Sequence, residues 1–144
     1  MPSIDQPNQD STQQFDGPLV LVIEDNLSDG SFLERHLQRL GYRSEVIRGG
    51  AYGLSRARET RPAAIILDIE LLGMDGYQVL ETLKADTTLR SVPVIVSSAN
   101  TEARARMLEN GAREFLPKPV DRVALKTALC KYCEPENSTA SDAV

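Results

Sequence analysis

Long apolar runs are missing from this 144-residue chain: the longest, Leu19 to Ile23 and Ala63 to Leu67, span five residues each. A membrane-spanning helix needs roughly 18 or more, so no membrane partner is expected. The amino terminus also lacks the basic patch and apolar stretch of a signal peptide, which predicts a soluble, cytoplasmic protein. Cysteine is scarce. Cys130 and Cys133 form a lone CxxC with no histidine nearby, too few ligands for a four-coordinate zinc site. Redox CxxC pairs are activated at a helix amino terminus, whereas this pair falls where a last helix ends, so a structural role is predicted.

Basic residues are absent from both ends. Residues 1–17 carry Asp5, Asp10 and Asp16, and residues 134–144 carry Glu134, Glu136 and Asp142, with no Lys or Arg in either segment. Setting those six acids aside, 15 of the 21 acidic residues face all 16 basic ones in the middle of the chain, so the formal charge of -5 resides in the ends. Both ends are polar and poor in large apolar residues, and are predicted to be disordered tails around one domain at 18–133. No concentrated basic stripe marks a nucleic-acid surface, so none is expected as a partner.

What the chain does have is alternation. Five β-type runs, at 19–23, 44–47, 63–67, 93–96 and 114–117, are separated by stretches of helical spacing. The helical stripes are Leu33/Leu37/Leu40, Ala51/Leu54/Ala57, Val79/Leu80/Leu83, Ala103/Met107/Leu108 and Leu125/Ala128/Leu129, with Gly41 and Gly111 as stops. Five strand–helix units predict an α/β fold, a doubly wound five-stranded parallel sheet of flavodoxin-like order 2-1-3-4-5 with helices on both faces. In such folds ligands sit beyond the carboxyl ends of the strands.

The residues at those ends are Glu24 and Asp25, then Asp68, then Ser97 and Ser98, then Lys118 before Pro119. Singly, each has an ordinary explanation: a helix cap, a turn hydroxyl, a solvated lysine, or, for Glu24 and Asp25, a solvated strand end leading into a helix with Ser28 or Asp29 near its cap. Together they bring three carboxylates, a hydroxyl and an ammonium to one rim. Carboxylates so close repel unless neutralised, and an all-oxygen donor set suits a hard divalent cation such as magnesium. Magnesium commonly completes its shell with phosphate oxygens, which points to phosphoryl chemistry, with Lys118 and Ser98 as oxygen partners.

This constellation resembles the receiver domain of two-component response regulators over roughly Pro18 to Tyr132. The acidic pair is Glu24 and Asp25 in "VIEDN"; the phosphoacceptor matches Asp68 in "ILDIELLGMDG". Ser98 and Ala99 match the Thr/Ser-Ala step, and Lys118-Pro119 the Lys-Pro pair, with an aromatic switch residue at Phe115. Leu71 and Leu72 stand where Met-Pro is common, and Glu24 where Asp is more frequent.

The resemblance implies that Asp68 accepts a phosphoryl group from a histidine kinase or histidine phosphotransfer protein. Magnesium is then held by Asp25, Asp68 and the backbone carbonyl of Glu70, with Glu24 acting through water. It further implies self-catalysed dephosphorylation without turnover of an external substrate, a cis Lys118-Pro119 bond, and a switch. Ser98 moves to the phosphoryl oxygen, Phe115 rotates inward, and a downstream protein target responds, with a homodimer left open. A stand-alone regulator or relay intermediate is expected, because 11 residues after Cys133 are too few for an output domain. A fragment of a hybrid kinase, a phosphorylation-independent module and a hydrolase using Glu70 as acid/base are the rivals. His36, the single histidine, lies on the Leu33/Leu40 stripe and reads as a packed helix residue rather than a relay histidine. Arg35, Arg39 and Arg43 read as a solvated face.

Overall fold

A computed structural model describes residues 17–133. The two acidic segments, apart from Gly17, lie outside the described residues, as does the prediction that they are disordered. Gly17 belongs to the folded body: its carbonyl accepts the Arg43 Nε hydrogen at 2.8 Å.

Five strands, β1 (Leu19–Ile23), β2 (Arg43–Ile47), β3 (Ala64–Asp68), β4 (Val94–Ser98) and β5 (Glu114–Pro117), alternate with helices. The helices are α1 (Leu27–Arg39), α2 (Gly50–Thr60), α3 (Gly76–Ala85), α4 (Arg104–Glu109, led by a 3-10 turn at Thr101–Ala103) and α5 (Arg122–Tyr132). The sheet is parallel throughout in the order β2-β1-β3-β4-β5, as the alternation predicts.

Because side chains alternate across a strand, each central strand feeds two cores. Val20, Val22, Ile66, Ile95 and Leu116 pack with Leu33, Leu37, Leu125 and Leu129 of α1 and α5. Leu21, Ile23, Ile65, Leu67, Val94, Val96 and Phe115 pack with Leu54, Val79, Leu80, Leu83 and Met107 of α2, α3 and α4. Burying one such aliphatic side chain contributes about 1.5–3 kcal/mol, which is why these strands are apolar on both faces. Ala51 departs from its predicted stripe: it is exposed, and α2 turns Gly50, Gly53, Leu54 and Ala57 inward instead. Gly53 stands so near β1 that a Cβ would lie 2.6 Å from Ile23 Cδ1.

Three of the helices, α1, α3 and α5, begin on side-chain caps. Asn26 accepts the Asp29 N–H at 2.9 Å and caps α1, with Ser28 and Asp29 in the first turn beside it, as expected. Asp75 and Gln78 form a reciprocal capping box on α3, and Asp121 caps α5 through the Ala124 N–H. Leu40 and Gly41 end α1, with Gly41 at φ 98°. β3 and β4 run one or two residues past their predicted ends and include Asp68, Ser97 and Ser98 as buried strand residues.

Candidate functional site

Strand register assembles the site. Ile23 pairs with Leu67, and Leu67 with Val96, so the next residues along, Glu24, Asp68 and Ser97, emerge side by side at the carboxyl edge. The ladder continues past β1 through the Glu24 N–H to the Ile47 carbonyl at 3.0 Å, and past β5 through the Lys118 N–H to the Ser98 carbonyl at 3.0 Å. Glu24, Asp68, Ser97 and Ser98 are all buried, the polar floor of an otherwise apolar sheet. The Lys118–Pro119 bond is cis, as the resemblance implies.

Lys118 is the hub. Its Nζ lies 2.9 Å from Glu24 Oε1, 2.8 Å from Asp29 Oδ2 and 3.4 Å from Asp68 Oδ2. Burial works to lower the pKa of this ammonium, but the bonds to Asp29 and Glu24 and the charge of Asp68 outweigh it and hold the pKa above the ordinary lysine value. Glu24 responds the other way. Burial, followed by its contact with the Asp68 carboxyl, pushes its pKa up to about 7, against the opposing pull of Lys118 and the Asn26 N–H. Two carboxyls pressed together out of water share one ammonium.

Asp25 stands apart from that pair. It is half-buried at the edge, and its Oδ2 accepts the Leu72 N–H from the loop after β3. Glu70 is exposed and tied to Asp68 by its own N–H, 3.3 Å from Asp68 Oδ1. Among the described residues, no three acidic, histidine or cysteine side chains stand in the arrangement of a metal cluster. Within the expected anionic cup of Glu24, Asp25 and Asp68, the Lys118 ammonium supplies a compensating charge, and Asp25 Oδ2 is engaged by the loop. The donor set still fits a hard cation, being oxygen-only with more carboxyls than positive charges.

The hydroxyls diverge. Ser98 Oγ accepts the Asn100 N–H at 3.0 Å, while the buried Ser97 hydroxyl has no hydrogen-bond partner among the described residues. Ser97 lies under a groove of about 330 Å³ between α1 and the segment after β5, walled by Phe32, Leu33, Lys118 and Val120. Ala99 is exposed. Phe115 corrects a second expectation: its side chain is already inside, 3% exposed and packed with Val96 and Met107, rather than waiting outside for an inward rotation. Its register opposite Val96 directs it into the core of the α2–α4 side.

Asp29 was not singled out as an ion-pair partner by the sequence. The signal is its position: one turn into α1, which starts at the rim, an acid faces the strand ends. The residues assigned bland roles keep them. His36 is half-buried with its ring edge on Phe32, centroids 4.3 Å apart. Cys133 is buried, and burial, with Cys130 next, pushes its thiol up to about 11, the opposite of an activated thiol. Both cysteines are free, and the Cys133 carbonyl accepts the Tyr42 hydroxyl.

The family model described as the response regulator receiver domain matches residues 20–130. The transcriptional regulatory protein HprR of Escherichia coli is 39% identical over 102 residues, 69% of this chain and 44% of the relative. Response regulator PleD of Caulobacter vibrioides is 36% identical over 108 residues, 74% of this chain and 24% of the relative. The chain thus spans less than half the length of these two proteins. Among solved structures, the receiver domain of sensor histidine kinase PA1611 from Pseudomonas aeruginosa superposes with a TM-score of 0.76 at 31% identity, covering 81% of this chain and 98% of that one. That neighbour carries a magnesium ion coordinated in its active-site cleft. The parallel order β2-β1-β3-β4-β5 agrees with these likenesses, and the chain belongs to the response regulator receiver-domain family.

Proposed function

We propose that this domain is a phosphorylation-dependent signalling switch with Asp68 as its phosphoacceptor. The observation that carries the reading is the placement of the Asp68 carboxyl: buried at the end of β3, beside Glu24 and 3.4 Å from the Lys118 ammonium. The donor is a phosphohistidine on a histidine kinase or histidine phosphotransfer protein. An Asp68 oxygen attacks phosphorus, the phosphorus–nitrogen bond breaks, and the freed imidazole nitrogen takes up a proton.

Asp25, Asp68 and the Glu70 backbone carbonyl would hold magnesium, with Glu24 acting through water. When bound, the cation offsets the charge of the carboxylates and of the phosphoryl oxygens. The chain's own groups do the rest. Lys118 exchanges part of its hold on Glu24 and Asp68 for a phosphoryl oxygen, and the exposed small side chain of Ala99 leaves the approach open. The same opening admits water, so the domain also returns itself to the unphosphorylated state without acting as a turnover enzyme.

For output, the Ser98 hydroxyl leaves the Asn100 N–H and donates to the phosphoryl oxygen. That movement consolidates the inward Phe115 and alters the face of α4, β5 and α5 toward a downstream protein target or a second copy of the chain. The role is that of a response regulator or relay intermediate in cytoplasmic signalling; no helix among the described residues is long and apolar enough to cross a membrane. In the test, wild-type protein with magnesium is labelled by acetyl phosphate and Asp68→Asn is not. Undiminished labelling of the variant would refute the assignment. Phe115→Ala should change target affinity while leaving labelling near normal.

A further inference from the structure

The loop joining β3 to α3, residues 69–75, is held at its ends, by Leu71 and Met74 packed against the core, and at the exposed Leu72 by one long-range backbone bond. At the ends, the Gly76 N–H donates to the Ile69 carbonyl at 2.6 Å. That approach demands glycine, since a Cβ on Gly76 would lie 2.4 Å from Ile69 Cα. In the middle, the Leu72 N–H donates to Asp25 Oδ2, 47 positions earlier in the chain. The Leu72 side chain is 79% exposed, so this backbone bond, rather than packing, holds the residue at the rim.

The consequence falls on Asp25. Glu24 and Asp68 converge on Lys118, while Asp25 Oδ2 is taken up by the loop's Leu72 N–H. We infer that the Leu72 N–H is a latch that competes with the cation for Asp25. A cation that takes Asp25 Oδ2 breaks the bond and frees the exposed Leu72 backbone; equally, the closed latch weakens cation binding by the same factor. Leu72 is a positioning residue acting through Asp25, by its backbone and not its side chain. The inference rests on Asp25 being a cation ligand.

Two substitutions separate backbone from side chain. Leu72→Pro removes the N–H and should bind magnesium about tenfold tighter, the worth of one hydrogen bond to a charged acceptor. Leu72→Ala keeps the N–H and should bind like the wild type. In the ¹⁵N-labelled wild type, titration with magnesium chloride should move the Leu72 amide resonance upfield and speed its exchange with solvent as the bond is lost. A Leu72 amide that stays fixed while other rim amides shift, or a Leu72→Pro affinity no tighter than that of Leu72→Ala, overturns the latch and leaves the cation site standing. A titration that shifts no rim amide overturns both. If Leu72→Pro does not fold, the wild-type titration decides alone.

Discussion

Leu67 and Asp68 are neighbours on one strand, 0% and 5% exposed, and the same step separates Ile23 from Glu24 and Val96 from Ser97. The body of the sheet and its carboxyl rim are thus equally withdrawn from water, yet burial stabilises the first and costs the second. An apolar side chain gains by leaving water, whereas a carboxyl or hydroxyl loses its hydration and must find a partner. The body is what keeps the domain folded. The rim is a set of groups kept under strain of charge, with burial pushing the Glu24 pKa up to about 7 and the Ser97 hydroxyl without a partner among the described residues, and such sites mark function rather than stability.

Substitutions on either side of that one-residue boundary should separate the two regions. Leu67→Ala removes a fully buried side chain and should lower unfolding free energy by about 3 to 4 kcal/mol in denaturant titration. Lys118→Met removes the ammonium that contacts both Glu24 and Asp68. It should cost about 2 kcal/mol near pH 8, less in the presence of magnesium, because the acids are left uncompensated. A Lys118→Met protein as stable as wild type would mean that the carboxyls do not depend on the ammonium.

Glu24 should show itself in pH dependence. The folded protein holds the Glu24 proton more tightly than the unfolded chain does, so the cation-free domain loses stability as pH rises from the ordinary value of 4.5 through about 7. Glu24→Gln should flatten that part of the profile and leave the domain at least as stable as wild type above neutrality, while weakening magnesium binding. An unchanged pH slope in melting experiments would contradict the raised pKa. The smallest effect belongs to Ser97→Ala, which deletes an unpaired buried hydroxyl and should change stability by less than about 1 kcal/mol, in the favourable direction. A clear loss would show that the hydroxyl has a partner.

The body and the rim were also unequally legible in the sequence. The five strands and their order followed from period and alternation, because burial on both faces writes itself as continuous apolar runs. Glu24, Asp25, Asp68, Ser98 and Lys118 were found because topology alone brings strand ends to one edge. What pattern cannot convey is which way a polar side chain turns once there. Asp29 as the third partner of Lys118, and Asp25 engaged with Leu72 rather than with Asp68, are choices among acceptors at similar range, decided by rotamer and loop geometry. Phe115 was identified but its inward position was not, since a strand-edge aromatic satisfies the same alternation in either rotamer. Ala51 failed for a related reason: Gly53 lets α2 lie close to β1 and Gly50 lets it lie close to Met74 and Val79, so these glycines join Leu54 and Ala57 on the inward face and Ala51 is left outside.

The central claim is that the buried rim exists to place one carboxylate for phosphorylation. Wild-type protein incubated with acetyl phosphate and magnesium, trapped by borohydride reduction and mapped by peptide mass spectrometry, tests it directly. The account predicts modification at Asp68 and at no other residue, dependent on the cation. Modification at Glu24, Asp25 or another side chain with Asp68 untouched, or equal labelling after magnesium is chelated, would contradict it.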